Sequence, residues 1–172
     1  VFRLPRLETL DLQNNRLTEI SEHFGLLATL QSLKLDDNRV RQVAPNFGNL
    51  IRLDSLDVRN NRLEHFPRVV CELTSLRTLY LSGNRIPELP PCVGNLRNLR
   101  SLNLSYNRLR TVPPEISALV SLFEFSCSDN KLQTLPPEFG NLESLTILNL
   151  NNNQLHSVPE QFGNLKNLKI LN

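Results

Sequence analysis

The side chains best suited to bond-making chemistry are few in this chain. There are three histidines, His23, His65 and His156, and three cysteines, Cys71, Cys92 and Cys127. A zinc site needs three or four such ligands converging on one point, usually with a close pair in sequence to start it. No CxxC or HExxH string occurs, and the histidines are scattered along the chain. Phosphate-cradling GxxxxGK[ST] and GxGxxG loops are absent, as is the GxSxG turn of serine hydrolases. Nothing pairs a cysteine with a base, so no activated nucleophile is expected. The reading is a chain that is not an enzyme, with no cofactor, no metal and no small-molecule substrate.

Recognition chemistry is better supplied. The chain's only two tyrosines, Tyr80 and Tyr106, lie in a stretch that also holds Arg59, Arg62, Arg85 and Arg108. Tyrosine and arginine combine broad contact area with directional hydrogen bonding, and both are enriched at interface hot spots. Asp57 and Asn103 belong to the same stretch. Formal net charge is +2, too near balance to indicate nucleic acid or a membrane surface as partner. No apolar run reaches the roughly 20 residues of a membrane-spanning helix, so no membrane insertion is expected.

The elements that would position these residues follow from a repeat. Leucine recurs every 23 residues, at Leu7, Leu30, Leu53, Leu76, Leu99, Leu122, Leu145 and Leu168. Seven full units result: 7–29, 30–52, 53–75, 76–98, 99–121, 122–144 and 145–167. With each leucine as position 1, positions 4, 6, 11, 14, 18 and 21 are also apolar throughout. In the fifth unit these are Leu102, Leu104, Leu109, Val112, Ile116 and Leu119. Positions 3 to 7 alternate with period 2, which predicts a short strand with one buried face. One strand per unit cannot bury its own apolar side. Stacked units would pair their strands about 4.8 Å apart into one parallel sheet over a shared core.

Position 9 is always asparagine: Asn15, Asn38, Asn61, Asn84, Asn107, Asn130 and Asn153. The chain turns inward after each strand and strands backbone donors and acceptors, and a carboxamide can satisfy both kinds. These seven are read as structural. From the third unit onward position 15 is proline, at Pro67, Pro90, Pro113, Pro136 and Pro159, with Ser21 and Ala44 in the first two units. Proline fixes φ and lacks a donor, so the outer side should carry short 3₁₀ or irregular segments in place of long helices.

The string LxxLxLxxNxL followed by segments such as LPPEFGNL (135–142) and VPPEISAL (112–119) resembles the leucine-rich-repeat family. The 23-residue length is most similar to the intracellular Ras-suppressor, Scribble, Erbin and plant Ras-group class. The resemblance implies an α/β solenoid, a curved horseshoe with its parallel sheet on the concave face. It also implies a protein-binding scaffold in small-GTPase or polarity signalling. The alternatives are a targeting segment of a larger enzyme, or an extracellular or bacterial surface receptor.

On this frame the partner-binding candidates are Tyr80, Tyr106, Arg59, Arg62, Arg85, Arg108, Asp57 and Asn103, at outward positions 5, 7, 8 and 10. Position 10 reads Arg16, Arg39, Arg62, Arg85, Arg108, Lys131 and Gln154. The preferred reading of that basic column is a solubilising one, its stems covering the sheet edge; a rail for an acidic partner is the functional alternative. The unpaired, scattered cysteines read as reduced thiols of a cytoplasmic protein. Cys127 takes a core slot, while Cys71 replaces a turn glycine and Cys92 sits on the convex side. Residues 1–6 fit the tail of a preceding unit and 168–172 the start of a following one, so the array is expected to be a segment of a longer protein.

Overall fold

The computed structural model describes residues 4–172; Val1, which the repeat assigns to a preceding unit, lies outside them. Ten strands form among the described residues: β1 (Thr9–Asp11), β2 (Glu19–Ile20), β3 (Ser32–Lys34), β4 (Gln42–Val43), β5 (Ser55–Asp57), β6 (Thr78–Tyr80), β7 (Ser101–Asn103), β8 (Glu124–Ser126), β9 (Ile147–Asn149) and β10 (Ile170–Leu171). Strands β2 and β4 pair with each other, and the other eight make one parallel sheet in chain order. Register follows the repeat without a slip: Thr9 faces Ser32, Leu79 faces Leu102 and Phe125 faces Leu148. A one-residue slip would move every leucine to the outer face, so burial itself pins the alignment.

The core runs the length of the stack. Leu99, Leu102, Leu104, Leu109, Ile116 and Leu119 of the fifth unit are fully buried. Burial fades at both ends, where Leu10, Leu12 and Leu17, and Leu155, Phe162 and Leu168, are only partly covered. Beyond the first and seventh full units the described residues supply only fragments of a repeat, 4–6 and 168–172, to cover them. Phe125, Phe139 and Phe162 form an aromatic run inside the last units, with ring centroids 5.7 and 5.6 Å apart.

The outer layer is made of 3₁₀ turns: η1 (Glu22–Leu26), η2 (Pro45–Asn49), η3 (Arg68–Glu72), η4 (Pro91–Asn95), η5 (Pro114–Ala118), η6 (Pro137–Asn141) and η7 (Glu160–Asn164). The first two units form them without a proline at position 15. Ser21 and Ala44 take φ of −72° and −67°, inside the range of the prolines that replace them later, such as Pro90 at −74° and Pro159 at −66°. Stacking therefore imposes this backbone, and proline merely presets it. These turns are bulkier than a strand rung, so the stack curves with its sheet inside.

The cysteine expectation is overturned in part. Cys71 and Cys92 form a disulfide, with Cα atoms 5.8 Å apart, and only Cys127 is free. The reason is geometric. Cys71 holds position 19, a glycine in five of the other units. A β-carbon built on Gly25, Gly94 or Gly140 would run into position 17 of the next unit, at Asn46, Glu115 and Gln161 respectively. Position 17 of the fourth unit is Cys92, so the two sulfurs are brought together across a unit boundary. Cys71 is also buried.

Candidate partner-binding face

Outward side chains on the strands stand in register, one rung apart. Along position 5 the sheet reads Asp11, Lys34, Asp57, Tyr80, Asn103, Ser126 and Asn149. The first half of this face is charged and internally paired. Lys34 Nζ lies 3.5 Å from Asp11 Oδ2. Arg59 grips Asp57 in fork geometry, Nε to Oδ1 at 2.9 Å and Nη2 to Oδ2 at 2.6 Å. The Arg59 backbone N–H donates to the same carboxylate. The side-chain hydrogen bonds to Asp57 push the Arg59 pKa up, and burial opposes them less strongly. The guanidinium also lies 5.4 Å from the centroid of the Tyr80 ring, a cation–π contact. Asp57, Arg59 and Tyr80 are thus a preassembled group on β5, the loop after it and β6.

Asp36 stands one rung from Arg59 at position 7. It is 8% exposed, and its Oδ1 is buried without a hydrogen-bond partner. Burial, and next the charge of Asp57, push its pKa up. The fork of Arg59 is committed to Asp57, so its charge offsets the burial of Asp36 only in part.

The second half of the face is mostly neutral. Ser128 Oγ donates to Ser105 Oγ at 2.9 Å, and Asn149 Nδ2 donates to Ser126 Oγ at 2.9 Å. Asn103 Oδ1 accepts the Ser105 backbone N–H at 3.0 Å, which fixes its carboxamide on β7.

Past each strand the chain turns through a left-handed residue at position 8. Asn14, Asp37, Asn60, Gly83, Tyr106, Asp129 and Asn152 have φ between 52° and 69°. Asparagine, aspartate and glycine tolerate this region; a bulky side chain does so at a cost. Tyr106 does, with 65% of its surface exposed. Tyr80 and Tyr106 therefore differ in setting, the first half-buried on a strand and the second projecting from a turn. Arg62, Arg85 and Arg108 follow the turns and are exposed. Arg85 meets Glu64 at 3.5 Å, an open pair worth little in water.

Between positions 8 and 10 lies the asparagine ladder. Asn84 Nδ2 donates to the carbonyls of Val58 at 2.9 Å and Leu81 at 3.0 Å, while its Oδ1 accepts the Leu63 N–H at 3.0 Å. Asn38, Asn61, Asn107, Asn130 and Asn153 make the same set. Among the described residues Asn15 makes only the local bonds, to Leu12 and Gln13.

Models of known families match the chain over most of its length. A leucine rich repeat model covers residues 1–40 and 28–86, and a two-copy leucine rich repeats model covers 74–118 and 120–160. The chain belongs to the leucine-rich-repeat family. Leucine-rich repeats generally mediate protein–protein interaction. No curated protein matches the chain. Among solved structures, a leucine-rich-repeat protein of Leptospira interrogans is 33% identical with a TM-score of 0.79, covering 96% of this chain and 48% of its own. A TDR receptor is 31% identical with a TM-score of 0.89, covering 98% of this chain and 30% of its own. An internalin of Listeria monocytogenes, 22% identical over 96% of this chain and 47% of its own, shares the fold with a TM-score of 0.83. The chain thus spans less than half the length of each.

Elsewhere on this leucine-rich-repeat array, a depression of about 630 Å³ opens between η1, η2 and the β2–β4 pair, lined by Glu19, His23, Gln42 and Pro45 among others. None of the partner-binding candidates lines it. Among the described residues no cluster of His, Cys, Asp and Glu is placed to hold a metal, and no helix is long and apolar enough to cross a membrane. Sequence reasoning missed Asp36 as a buried, unpaired acid and Tyr106 as a left-handed residue. The second had a signal: six of the seven residues in the position-8 column are Asn, Asp or Gly.

Proposed function

We propose that the array binds a partner protein across its sheet face, centred on Tyr80 and Asn103 with the Asp57–Arg59 pair beside them. The observation that carries this reading is the preassembled Asp57–Arg59–Tyr80 group, whose geometry is set within the chain before any partner arrives. Preorganised side chains lose little entropy on binding. The resemblance of the repeats to the Ras-suppressor and Scribble class supports a cytoplasmic scaffold in small-GTPase or polarity signalling.

A second reading is favoured by one observation, the Cys71–Cys92 disulfide. Disulfides persist in oxidising compartments, and that supports a receptor ectodomain or bacterial surface protein with the same binding face. Trapping thiols in intact cells separates the two settings: blocked Cys71 and Cys92 support the surface reading, and free ones support the cytoplasm.

The binding face is tested by placing a photo-reactive phenylalanine analogue at Asn103, or at Glu115 on the convex η5, in the full-length protein within its own cells. A discrete protein adduct from position 103 and none from 115 is expected. Equal labelling from both positions would remove the claim.

A further inference from the structure

Tyr106 holds a backbone position that suits it poorly. Its φ is 56°, the same as at Asn14 and Asn152, where a short carboxamide tolerates the left-handed turn. A tyrosine has no such local compensation, and strained residues persist where something outweighs the strain. Packing within the chain is not that something, because the ring is among the most exposed large side chains. Neighbouring slots in the column are differently occupied: Asn60 donates to Asp37 at 3.0 Å and Asn152 to Asp129 at 3.0 Å, closing two side-chain pairs. Tyr106 stands between them, next to Gly83, which carries no side chain at all. The ring is left free to meet a partner.

What surrounds it is basic. Positions 10, 12 and 13, on the flank where the strands end, hold Arg16, Arg39, Arg41, Arg62, Arg85, Arg108, Arg110 and Lys131. Their acids are Glu19, Glu64 and Glu88 alone, so eight positive charges face three negative ones in a chain whose total is only +2. The single ion pair on this flank among the described residues is Arg85 with Glu64. Position-10 residues are held in rank by backbone bonds to the preceding unit, Arg85 N to Leu63 O and Arg108 N to Ile86 O, both at 2.9 Å.

We infer that Tyr106 anchors an acidic protein segment laid across the strand-end flank, over Arg62, Arg85, Arg108 and Arg110. The inference rests on the proposed protein-binding function and adds the chemistry of the partner and a second contact surface beside the sheet. Charge complementarity selects the occupant. Asp37 and Asp129 border the same column, and they would repel the unbroken charge of a nucleic acid, whereas a polypeptide can place neutral residues there.

The test uses fluorescence anisotropy of a labelled glutamate-rich peptide with the whole array, and a single-stranded oligonucleotide of equal length in parallel. Tyr106→Asn fits the turn, so its Tm should equal or exceed that of the parent, while peptide affinity falls about tenfold. Replacing Arg85 and Arg108 by glutamine should weaken binding similarly and flatten its salt dependence, and Arg97→Gln, outside the flank, should leave it unchanged. Parent-like affinity of Tyr106→Asn, a lowered Tm, or an oligonucleotide bound as tightly as the peptide would each overturn the inference. An array that crosslinks through Asn103 yet ignores the peptide loses this inference and keeps the first reading. One that binds the peptide but never crosslinks at Asn103 loses the sheet-face reading instead.

Discussion

The side-chain carbonyl of Asn107 accepts the backbone N–H of Ile86 at 2.9 Å, from a residue 21 positions earlier in the preceding unit. Its amide donates to Leu81 at 2.9 Å and to Leu104 at 3.1 Å, so one carboxamide ties two units together. Asn107→Ala would orphan the buried Ile86 N–H, while the Leu81 and Leu104 carbonyls keep their bonds from Asn84 and Asn130, and it should cost about 2 kcal/mol. Among the described residues Asn15 makes only local bonds, at an exposed turn, and Asn15→Ala should cost less than about 1 kcal/mol. Urea denaturation of both variants checks the contrast. Equal losses would mean the ladder is not cooperative between units.

Asp36 bears a pH prediction. Burial raises its pKa in the folded state above the ordinary carboxylate value. The folded protein then holds this proton more tightly than the unfolded chain. Stability contributed by the group is present at low pH and is lost as pH rises from the unfolded pKa through the folded one. At neutral pH the charged, unpaired carboxylate is a liability. Asp36→Asn should therefore raise Tm at pH 7, and the gain should shrink as pH falls below the normal carboxylate range. Calorimetry across that range reads the effect, and a gain that grows in acid would contradict it.

Thiol chemistry should separate the three cysteines. Cys127 is fully buried, and burial pushes its pKa up to about 12. The thiolate is the reactive form, so the folded protein should not react with iodoacetamide at pH 8. After reduction and full unfolding three alkylations are expected, and without reduction only one. Mass spectrometry counts them. Rapid labelling of Cys127 in the folded state would show that the core opens locally there.

The first two convex turns invite a proline comparison. Ser21 already has φ of −72°, and Ala44 has −67°, both compatible with the ring. The Ala44 N–H, however, donates to Ile20 O at 2.8 Å beside the β2–β4 pair. Ala44→Pro loses that bond and should cost about 1 kcal/mol. Ser21→Pro keeps it and should be neutral or gain up to about 1 kcal/mol through the unfolded chain. Thermal unfolding of the two variants should therefore diverge, and matching shifts would sink the argument.

Much of this was written in the spacing. Leucine at a fixed 23-residue interval specifies register, because any slip exposes the whole apolar set. Asparagine at position 9 announces an inward turn, and the run of prolines at position 15 announces an extended entry to a short 3₁₀ segment. The same columns put Asp57, Tyr80 and Asn103 side by side. Columns do not say which of two acids a guanidinium will choose. Arg59 has Asp57 two residues away along its own chain and Asp36 across the ladder, and it takes Asp57, from which its fork reaches both the carboxylate and the Tyr80 ring.

What the sequence by itself determined is everything that repeats: one strand of the main sheet per unit, the buried face, the ladder and the outer turns, whereas the extra strands β2 and β4 of the first two units were not foreseen. Periodicity encodes the repeated features because each unit meets the same neighbours. The tertiary structure decided what occurs once. Cys71 and Cys92 differ by 21 residues, and only stacking turns that odd spacing into contact. Tyr106 looks like an ordinary exposed tyrosine until its backbone is seen in the left-handed region. Single departures from a repeat carry no period to read, so their meaning lies in the distances that folding creates.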